Sequence, residues 1–218
     1  PRTCDAARLA DALQTALSKT TGVTMDRKFI TVVDLEATCW NSSESQAGQT
    51  SEIIEIGMVL LNTETGEVVN PISMKVKPQH STVSQFCTDL TGLTQKDVEK
   101  APNLHKACEY LRKQYNSHRY VWASFGEWDR YMMDKSVETT GGKSPFSVVH
   151  TNVQAVFGWT LSLTQKNDLS LQKAVEVAGL NWVGRAHSGV DDAHNAANLL
   201  SCLSRKTPSF REGMQSAS

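Results

Sequence analysis

The sequence predicts an α/β fold in which helices cover a mixed β-sheet, and three observations support this fold class. Apolar segments with strand-like patterns come first in the chain, and two of them are joined by a short turn at residues 63–66. Beyond residue 78, helical patterns alternate with short apolar segments, which is typical of a sheet with helices packed on it. The 218 residues are enough to bury the core of one such domain.

Five strands are predicted, over residues 28–37, 52–62, 67–78, 120–124 and 146–153. The second and third form a hairpin, because Gly66 permits the positive φ that a tight turn often needs. The fourth is the apolar segment "YVWAS", and the fifth leads into a short helix near residues 153–157. A hairpin followed by strands that alternate with helices indicates a sheet with both antiparallel and parallel neighbours.

Apolar residues at helical spacing predict the helices, over residues 5–18, 81–92, 94–101, 103–115, 126–137, 168–179 and 191–205. Residues 19–26 form a linker between the first helix and the first strand. Asp168 is expected to cap the N-terminus of the penultimate helix, and Gly179 is expected to end it. In the last helix, Asp191 or Asp192 is expected at the N-cap.

Charge and cysteine content limit the classes of function. The net charge of −1 gives no general attraction for nucleic acid or for an anionic membrane, so phosphate binding requires a local site. The five cysteines are odd in number, widely spaced and never in a C-x-x-C pair, which argues against a disulfide framework and a zinc site. Neither a signal peptide nor a membrane-spanning segment is visible. We expect a soluble intracellular protein without a membrane partner. The cytoplasm is the compartment expected first, and the nucleus or nucleolus are alternatives.

Two acids end the first predicted strand, in the segment "TVVDLEATCW". Asp34 and Glu36 are two residues apart, so strand alternation sends both side chains to the same face. Like charges this close are unfavourable unless a cation lies between them, and carboxylate oxygens suit Mg²⁺ or Mn²⁺. The alternative is a solvated strand end beside a loop, because D-x-E alone is a weak motif.

Further acidic sites lie in two later segments. Asp129 stands in the first turns of the helix after the fourth strand, where it also complements the helix dipole. His187 precedes Asp192 by five residues near the start of the last helix. Capping of that helix explains one of the two adjacent acids there, but neither the second acid nor the histidine.

These residues, in this order, resemble the motifs of the DEDDh group of 3′→5′ exonucleases. The segments "DLEATCW", "EIIEIGMVLLN", "VKP", "FCTDLTGLTQKDV", "SFGEWD" and "HSGVDDAHNAANL" look like those of its ERI1-like subgroup of RNA exonucleases. The resemblance implies a ribonuclease-H-like fold, a mixed sheet of about five strands flanked by helices. It divides the chain into an N-terminal helix and linker (1–27), an exonuclease domain (28–206) and a polar tail (207–218).

The resemblance also implies a role for each of the five residues. Asp34, Glu36 and Asp192 would hold the metal that activates the attacking water. Asp34 would also bridge to a second metal, with Asp129 as its other anchor, and His187 would be the general base. Two Mg²⁺ ions, or Mn²⁺, balance four carboxylates, and histidine, whose unperturbed pKa is about 6.5, takes a proton near neutral pH.

Substrate contacts are predicted near the cluster. Leu90, in "DLTGLT", is a candidate for contacting the terminal base, with a place in the core as the alternative. Trp40 is a candidate for stacking on a base. Thr38 is a candidate for lining the pocket, together with Cys39, through backbone groups, whereas Trp128 is expected to pack. The remaining histidines are expected to be surface or structural residues: His80, His105, His118, His150 and His194.

The predicted activity is removal of nucleoside 5′-monophosphates from the 3′ end of RNA, mainly single-stranded. Residues 1–27 are too short for the separate nucleic-acid-binding segment that some family members carry, and no basic stripe is present to hold a long duplex. A DNA-preferring exonuclease of the same fold is one alternative, because contacts to a 2′-hydroxyl cannot be read from the sequence. A nucleic-acid-binding relative that has lost catalysis is the other.

Overall fold

A computed structural model describes residues 26–41, 49–160 and 169–206. The predicted N-terminal helix at 5–18, the linker up to residue 25, Asp168 and the tail lie outside these ranges. The strands of the described part are β1 (Asp26–Ala37), β2 (Ile53–Asn62), β3 (Val68–Lys75), β4 (Tyr120–Ser124) and β5 (His150–Asn152). They form one sheet in the order β3-β2-β1-β4-β5.

The sheet is mixed, as predicted. β2 is antiparallel to both β1 and β3, whereas β4 is parallel to β1 and β5 is parallel to β4. Gly66 has φ 74° in the hairpin turn, and its N–H donates to the carbonyl of Asn62 at 2.8 Å. The fifth strand is shorter than predicted, because Phe146 turns inward before it and stacks on Trp122 at 4.8 Å between ring centroids.

The α-helices of the described part are α1 (Gln85–Thr91), α2 (Gln95–Glu99), α3 (Leu104–Tyr115), α4 (Trp128–Thr140), α5 (Val153–Thr160), α6 (Leu171–Val177) and α7 (Gly189–Lys206). Alternation along β1 sends side chains into two cores. Val33 packs with Leu111 of α3 on one face, and Val32 packs with Leu199 of α7 on the other. Both faces of the sheet are therefore covered, and none of the described helices is long and apolar enough to cross a membrane.

Two cap predictions require correction. The hydroxyl of Ser170 accepts the N–H of Lys173 and caps α6, so the cap lies two residues beyond Asp168. α7 begins at Gly189, which places Asp191 and Asp192 inside its first turn rather than at the N-cap. Their carboxylates accept N–H groups from the loop before the helix, and they order that loop instead.

Candidate active site

The end of β1 places the first two acids. Asp34 and Glu36 have the same phase as Val32 and face the side of the sheet on which α7 packs. β1 pairs with β4 only as far as Val32, so the two strands separate at their carboxyl ends. In the gap, Oδ1 of Asp129 accepts the N–H of Leu35 at 2.9 Å. The site lies at the carboxyl ends of β1 and β4, where the order of strands along the sheet reverses, which is the position at which open sheets bind ligands.

Two glycines bring the start of α7 against this strand end. A Cβ atom on Gly57 would lie 1.9 Å from the carbonyl carbon of Gly189. A Cβ atom on Gly189 would lie 3.1 Å from the carbonyl oxygen of Asp34. Because neither residue has a side chain, helix and sheet approach at backbone distance, and Asp192 reaches the acids of β1.

The loop before α7 presents the histidine. Oδ2 of Asp192 accepts the backbone N–H of His187 at 3.0 Å. His187 has φ 59°, a left-handed conformation that is uncommon for a residue with a side chain and is often found at functional sites. The amide side chain of Asn195 bonds to both backbone groups of Val183 and to the carbonyl of Asp191, which ties the loop to the helix.

All five residues of the predicted signature meet at this edge of the sheet. Ligand atoms of Glu36, His187 and Asp192 all lie within 4.8 Å of one another. The charges of the other acids also raise the pKa of Asp34, and Asp129 makes the largest of these contributions. Asp34 and Asp129 therefore belong to the same cluster. Residues separated by up to 158 positions in the chain therefore form one acidic cluster.

Burial dominates the ionisation of the cluster. It raises the pKa of Asp34 well above its usual value, and the pKa of Glu36 to about 8. It raises the pKa of Asp129 and of Asp192 to about 6, although N–H donors partly oppose it. Neighbouring acids add to the increase at each position, and the Arg185 guanidinium opposes it at Glu36. Without a cation, this cluster holds protons at pH values where free carboxyls are ionised.

The residues present fit divalent metal ions. The donors are carboxylate oxygens, which Mg²⁺ and Mn²⁺ prefer. Oδ1 of Asp192 is buried and has no hydrogen-bond partner within the described ranges. Buried polar atoms are normally partnered, so this oxygen, beside Glu36, is available to a cation.

The raised pKa values predict how the metal-free protein responds to pH. In the native state the four carboxyls bind protons more tightly than in the unfolded chain, so their contribution is fully present below about pH 4 and is lost as pH rises toward about 8, the pKa of Glu36. We expect the melting temperature in EDTA to fall across this range. Saturating Mg²⁺ should reduce the slope, because bound cations replace the protons.

A Glu36→Gln variant isolates the contribution of one acid to this pH dependence. Melting curves in EDTA should then show a shallower decline between pH 5 and 8 than in the unmodified protein. Glu64→Gln, in the exposed hairpin turn, is the matched control and should leave the slope unchanged. Equal slopes for the unmodified and Glu36→Gln proteins would contradict the electrostatic description of the cluster.

The predicted substrate residues differ in accessibility. Leu90 and Trp40 are partly exposed, so Leu90 is not a core residue. Thr38 is fully buried: its hydroxyl bonds to Ser81 and to the N–H of Glu52, and its own N–H and carbonyl are both hydrogen-bonded. Thr38 thus joins two loops, and its place in the lining of the pocket stays a prediction.

Trp128 also differs from expectation. It is 50% exposed at the first position of α4, immediately before Asp129, rather than packed. The helix start that directs Asp129 inward leaves its neighbour Trp128 exposed to solvent.

Sequence reasoning missed Glu55. It stands opposite Glu36 in the β1–β2 register and is only 1% exposed. Nζ of Lys75 lies 3.1 Å away, and the hydroxyl of Ser73 donates to it at 2.5 Å. A glutamate inside the apolar segment "EIIEIGMV" is the signal that was available, since buried charges are normally paired.

Ser124 and His150 support Asp129, a feature that sequence reasoning also missed. The hydroxyl of Ser124 bonds to Asp129, which opposes the rise in the pKa of that carboxyl, and lies 2.9 Å from Nε2 of His150. The His150 side chain is 2% exposed and packs on Trp122 at 4.4 Å between ring centroids. His150 is structural, as expected, but at the edge of the site, a placement that no local pattern indicates.

Comparisons with known proteins agree with this geometry. Residues 31–200 match the family model RNase_T, described as Exonuclease. ERI1 exoribonuclease 2 of Mus musculus is 30% identical over 211 residues, which cover 84% of this chain and 30% of that protein. 3'-5' exoribonuclease 1 of Homo sapiens is 29% identical over 180 residues, which cover 78% of this chain and 51% of that protein. The chain thus spans about half or less of the length of these relatives.

A solved structure agrees as well. The nuclease domain of 3'hExo, a DEDDh family member bound to rAMP, superposes with a TM-score of 0.73 at 26% identity, covering 82% of this chain and 92% of that chain. The shared fold is the mixed sheet with helices on both faces, and all five acidic and histidine positions of the DEDDh signature are present here. The chain therefore belongs to the RNase_T exonuclease family, among the DEDDh enzymes of the ERI1-like subgroup.

Proposed function

We propose that residues 28–206 form a Mg²⁺-dependent 3′→5′ exoribonuclease domain that releases nucleoside 5′-monophosphates from single-stranded RNA ends. The observation that carries this proposal is the meeting of four acids and one histidine at the carboxyl end of β1. The exoribonuclease names of the relatives and the rAMP bound to the 3'hExo nuclease domain support RNA as the substrate.

Four carboxylates would hold two metal ions. Asp34, Glu36 and Asp192 would bind the first, and Asp34 with Asp129 the second; the ions would supply an activated water and stabilise the leaving oxygen. In the absence of metal these residues keep protons, and the chain positions them through Leu35 and the two backbone-close glycines. Binding of cations therefore requires release of protons, and affinity should increase with pH.

His187 would act as the general base. It is exposed, so its ring is accessible to the water that attacks a bound phosphodiester. Asp192 fixes its backbone N–H, and the left-handed φ at His187 directs its side chain toward Glu36 and Asp192. A base placed within hydrogen-bond reach of the water raises the rate by taking its proton in the transition state.

The 3′-terminal nucleotide would lie between apolar groups at the same edge. Leu90, Trp40 and Trp128 are all partly or largely exposed, and aromatic faces stack on bases of any sequence. A net charge of −1 provides little attraction for a long duplex, so contacts to the end of the strand carry the binding.

Direction and substrate are tested together. With Mg²⁺, a 5′-labelled RNA should shorten through a descending ladder, EDTA should stop the reaction, and a 3′-phosphate should slow it strongly. The product should be nucleoside 5′-monophosphate, identified by chromatography. A matched DNA oligonucleotide should be degraded more slowly.

Each other outcome contradicts one part of the proposal. Faster degradation of DNA than of RNA would assign the DNA-preferring alternative. Cleavage of a circular RNA would exclude an exonuclease mechanism. Binding of RNA without any shortening in Mg²⁺ or Mn²⁺ would assign the inactive nucleic-acid-binding alternative.

A further inference from the structure

Arg185 connects two segments that the proposed mechanism uses separately. Its Nη1 donates to the carbonyl of Thr91 at 2.7 Å, and its Nη2 donates to the carbonyl of Leu90 at 2.8 Å. Its backbone N–H donates to Oδ2 of Asp191 at 3.0 Å. The guanidinium thus bridges two consecutive carbonyls at the end of α1, while the backbone of the same residue is fixed to the start of α7.

The end of α1 is shaped to receive this side chain. Gly92 has φ 75°, and its N–H closes the helix on the carbonyl of Thr88. A Cβ atom on Gly92 would lie 1.8 Å from Nη1 of Arg185. Glycine is therefore required here twice, by the left-handed backbone and by the space that the guanidinium occupies.

Each end of the bridge carries a residue of the proposed site. Leu90, whose carbonyl accepts one of the two bonds, is partly exposed, and in the proposed function its side chain would contact the terminal base. His187 follows Arg185 by two residues, in the loop that Asp191 and Asp192 hold. The Arg185 side chain therefore links the end of α1 to the loop that carries the histidine.

We propose that Arg185 is a positioning residue that couples the contact of Leu90 with the 3′-terminal base to the placement of His187. The inference rests on the proposed exonuclease function. Arginine suits the task because its planar guanidinium donates along two directions at once, whereas a lysine ammonium binds as a single point. A base stacked on Leu90 would then hold the end of α1, and the end of α1 would hold the loop of the general base.

The test combines a substrate change with a protein change. The cleavage rate is measured under single-turnover conditions, and KM is measured separately in the steady state. The substrate is 5′-labelled RNA that ends in a normal or an abasic nucleotide. In the unmodified protein the abasic end should lower the cleavage rate as well as raise KM. Arg185→Ala should lower the rate on normal RNA by about 10–100-fold, the scale of a small misplacement of a catalytic group. The rate penalty of the abasic end should then largely disappear in Arg185→Ala.

Two further variants separate coupling from simple loss of structure. Arg185→Lys keeps the charge and should recover only part of the rate. Gly92→Asn tolerates the left-handed backbone but places a Cβ atom against the guanidinium, so it should reproduce the loss of coupling. Arg112→Ala is the matched control, because Arg112 also donates to a loop carbonyl, that of Ser144 at 2.7 Å, away from the site. It should keep the full abasic penalty.

Amide hydrogen exchange tests, independently of activity, whether Arg185 links the end of α1 to the loop before α7. In Arg185→Ala, exchange should rise together at residues 88–93 and 185–189, and in Arg112→Ala at neither. If Arg185→Ala and the abasic end lower the cleavage rate by factors that simply multiply, the coupling is overturned. Full recovery of the rate in Arg185→Lys would also overturn it. If the unmodified protein does not cleave RNA, the proposed function fails, while unchanged exchange at either segment overturns the bridge itself.

Discussion

Asp34→Asn is expected to abolish RNA hydrolysis while the fold is retained. Asp34 lies at the centre of the cluster: every other acid of the site raises its pKa, and in the proposed site its carboxylate is shared by both metal ions. Asparagine keeps the shape but removes the charge that attracts the cations. The rate should fall by roughly 10³-fold or more, the upper range for removing a single group that stabilises developing charge.

The same substitution should have the opposite effect on stability without metal. Asparagine cannot ionise, so the variant avoids the cost of charging a buried carboxyl among other acids, and the melting temperature in EDTA should stay equal or rise. Mg²⁺ should stabilise the unmodified protein but hardly stabilise the variant. Asp26→Asn, at the exposed start of the same strand, is the control and should retain full activity. Wild-type hydrolysis by Asp34→Asn would refute the assignment.

His187→Ala is expected to lower the turnover number by roughly 10²–10⁴-fold, the usual contribution of a positioned acid or base. The ring lies with Glu36 and Asp192 inside 4.8 Å, a distance that also suits a metal ligand. Imidazole is not a preferred ligand for Mg²⁺, so we expect metal affinity to change little. With saturating Mg²⁺, the variant should therefore stay slower than the unmodified protein by the same factor.

A Mg²⁺ titration at two pH values separates base from ligand. Loss of a ligand would weaken metal binding, so that excess Mg²⁺ restores the rate. Loss of the base leaves the midpoint of the titration in place and lowers the plateau. His105→Ala, an exposed histidine on α3, is the control. Full recovery at high Mg²⁺ would show that another group accepts the proton.

The parts of the fold that follow local periodicity could be predicted from the sequence. The five strands, their mixed arrangement and the helices of the described part agree in order with the structure. The pair Asp34 and Glu36 could be assigned to one face because alternation in a strand is a local property. The limits of elements were less accurate, as at the fifth strand, because the packing of Phe146 on Trp122 decides where pairing begins.

The supporting residues of the site depend on contacts between distant segments, which one sequence does not display. Arg185 reaches carbonyls 94 and 95 positions away, and a carbonyl acceptor has no side chain to recognise. The hydrogen bonds of Thr38 could not be predicted for the same reason: its neighbours in space, Ser81 and Glu52, come from separate loops. Trp128 was expected to pack because large aromatic residues usually do, but its position at a helix start turns it outward.

The carboxylate of Asp129 takes the place of a strand partner, because it accepts the N–H of Leu35 where β4 has already diverged. A descendant that abandoned nuclease activity would still need an acceptor at this position, since an unpartnered amide there would cost about 1–3 kcal/mol. Selection for folding alone would thus preserve aspartate or asparagine at 129 after catalysis is gone. Without selection for hydrolysis, Glu36 and His187 should be substituted earlier than Asp129. Retention of Glu36 and His187, rather than of Asp129, therefore indicates continued selection for hydrolysis.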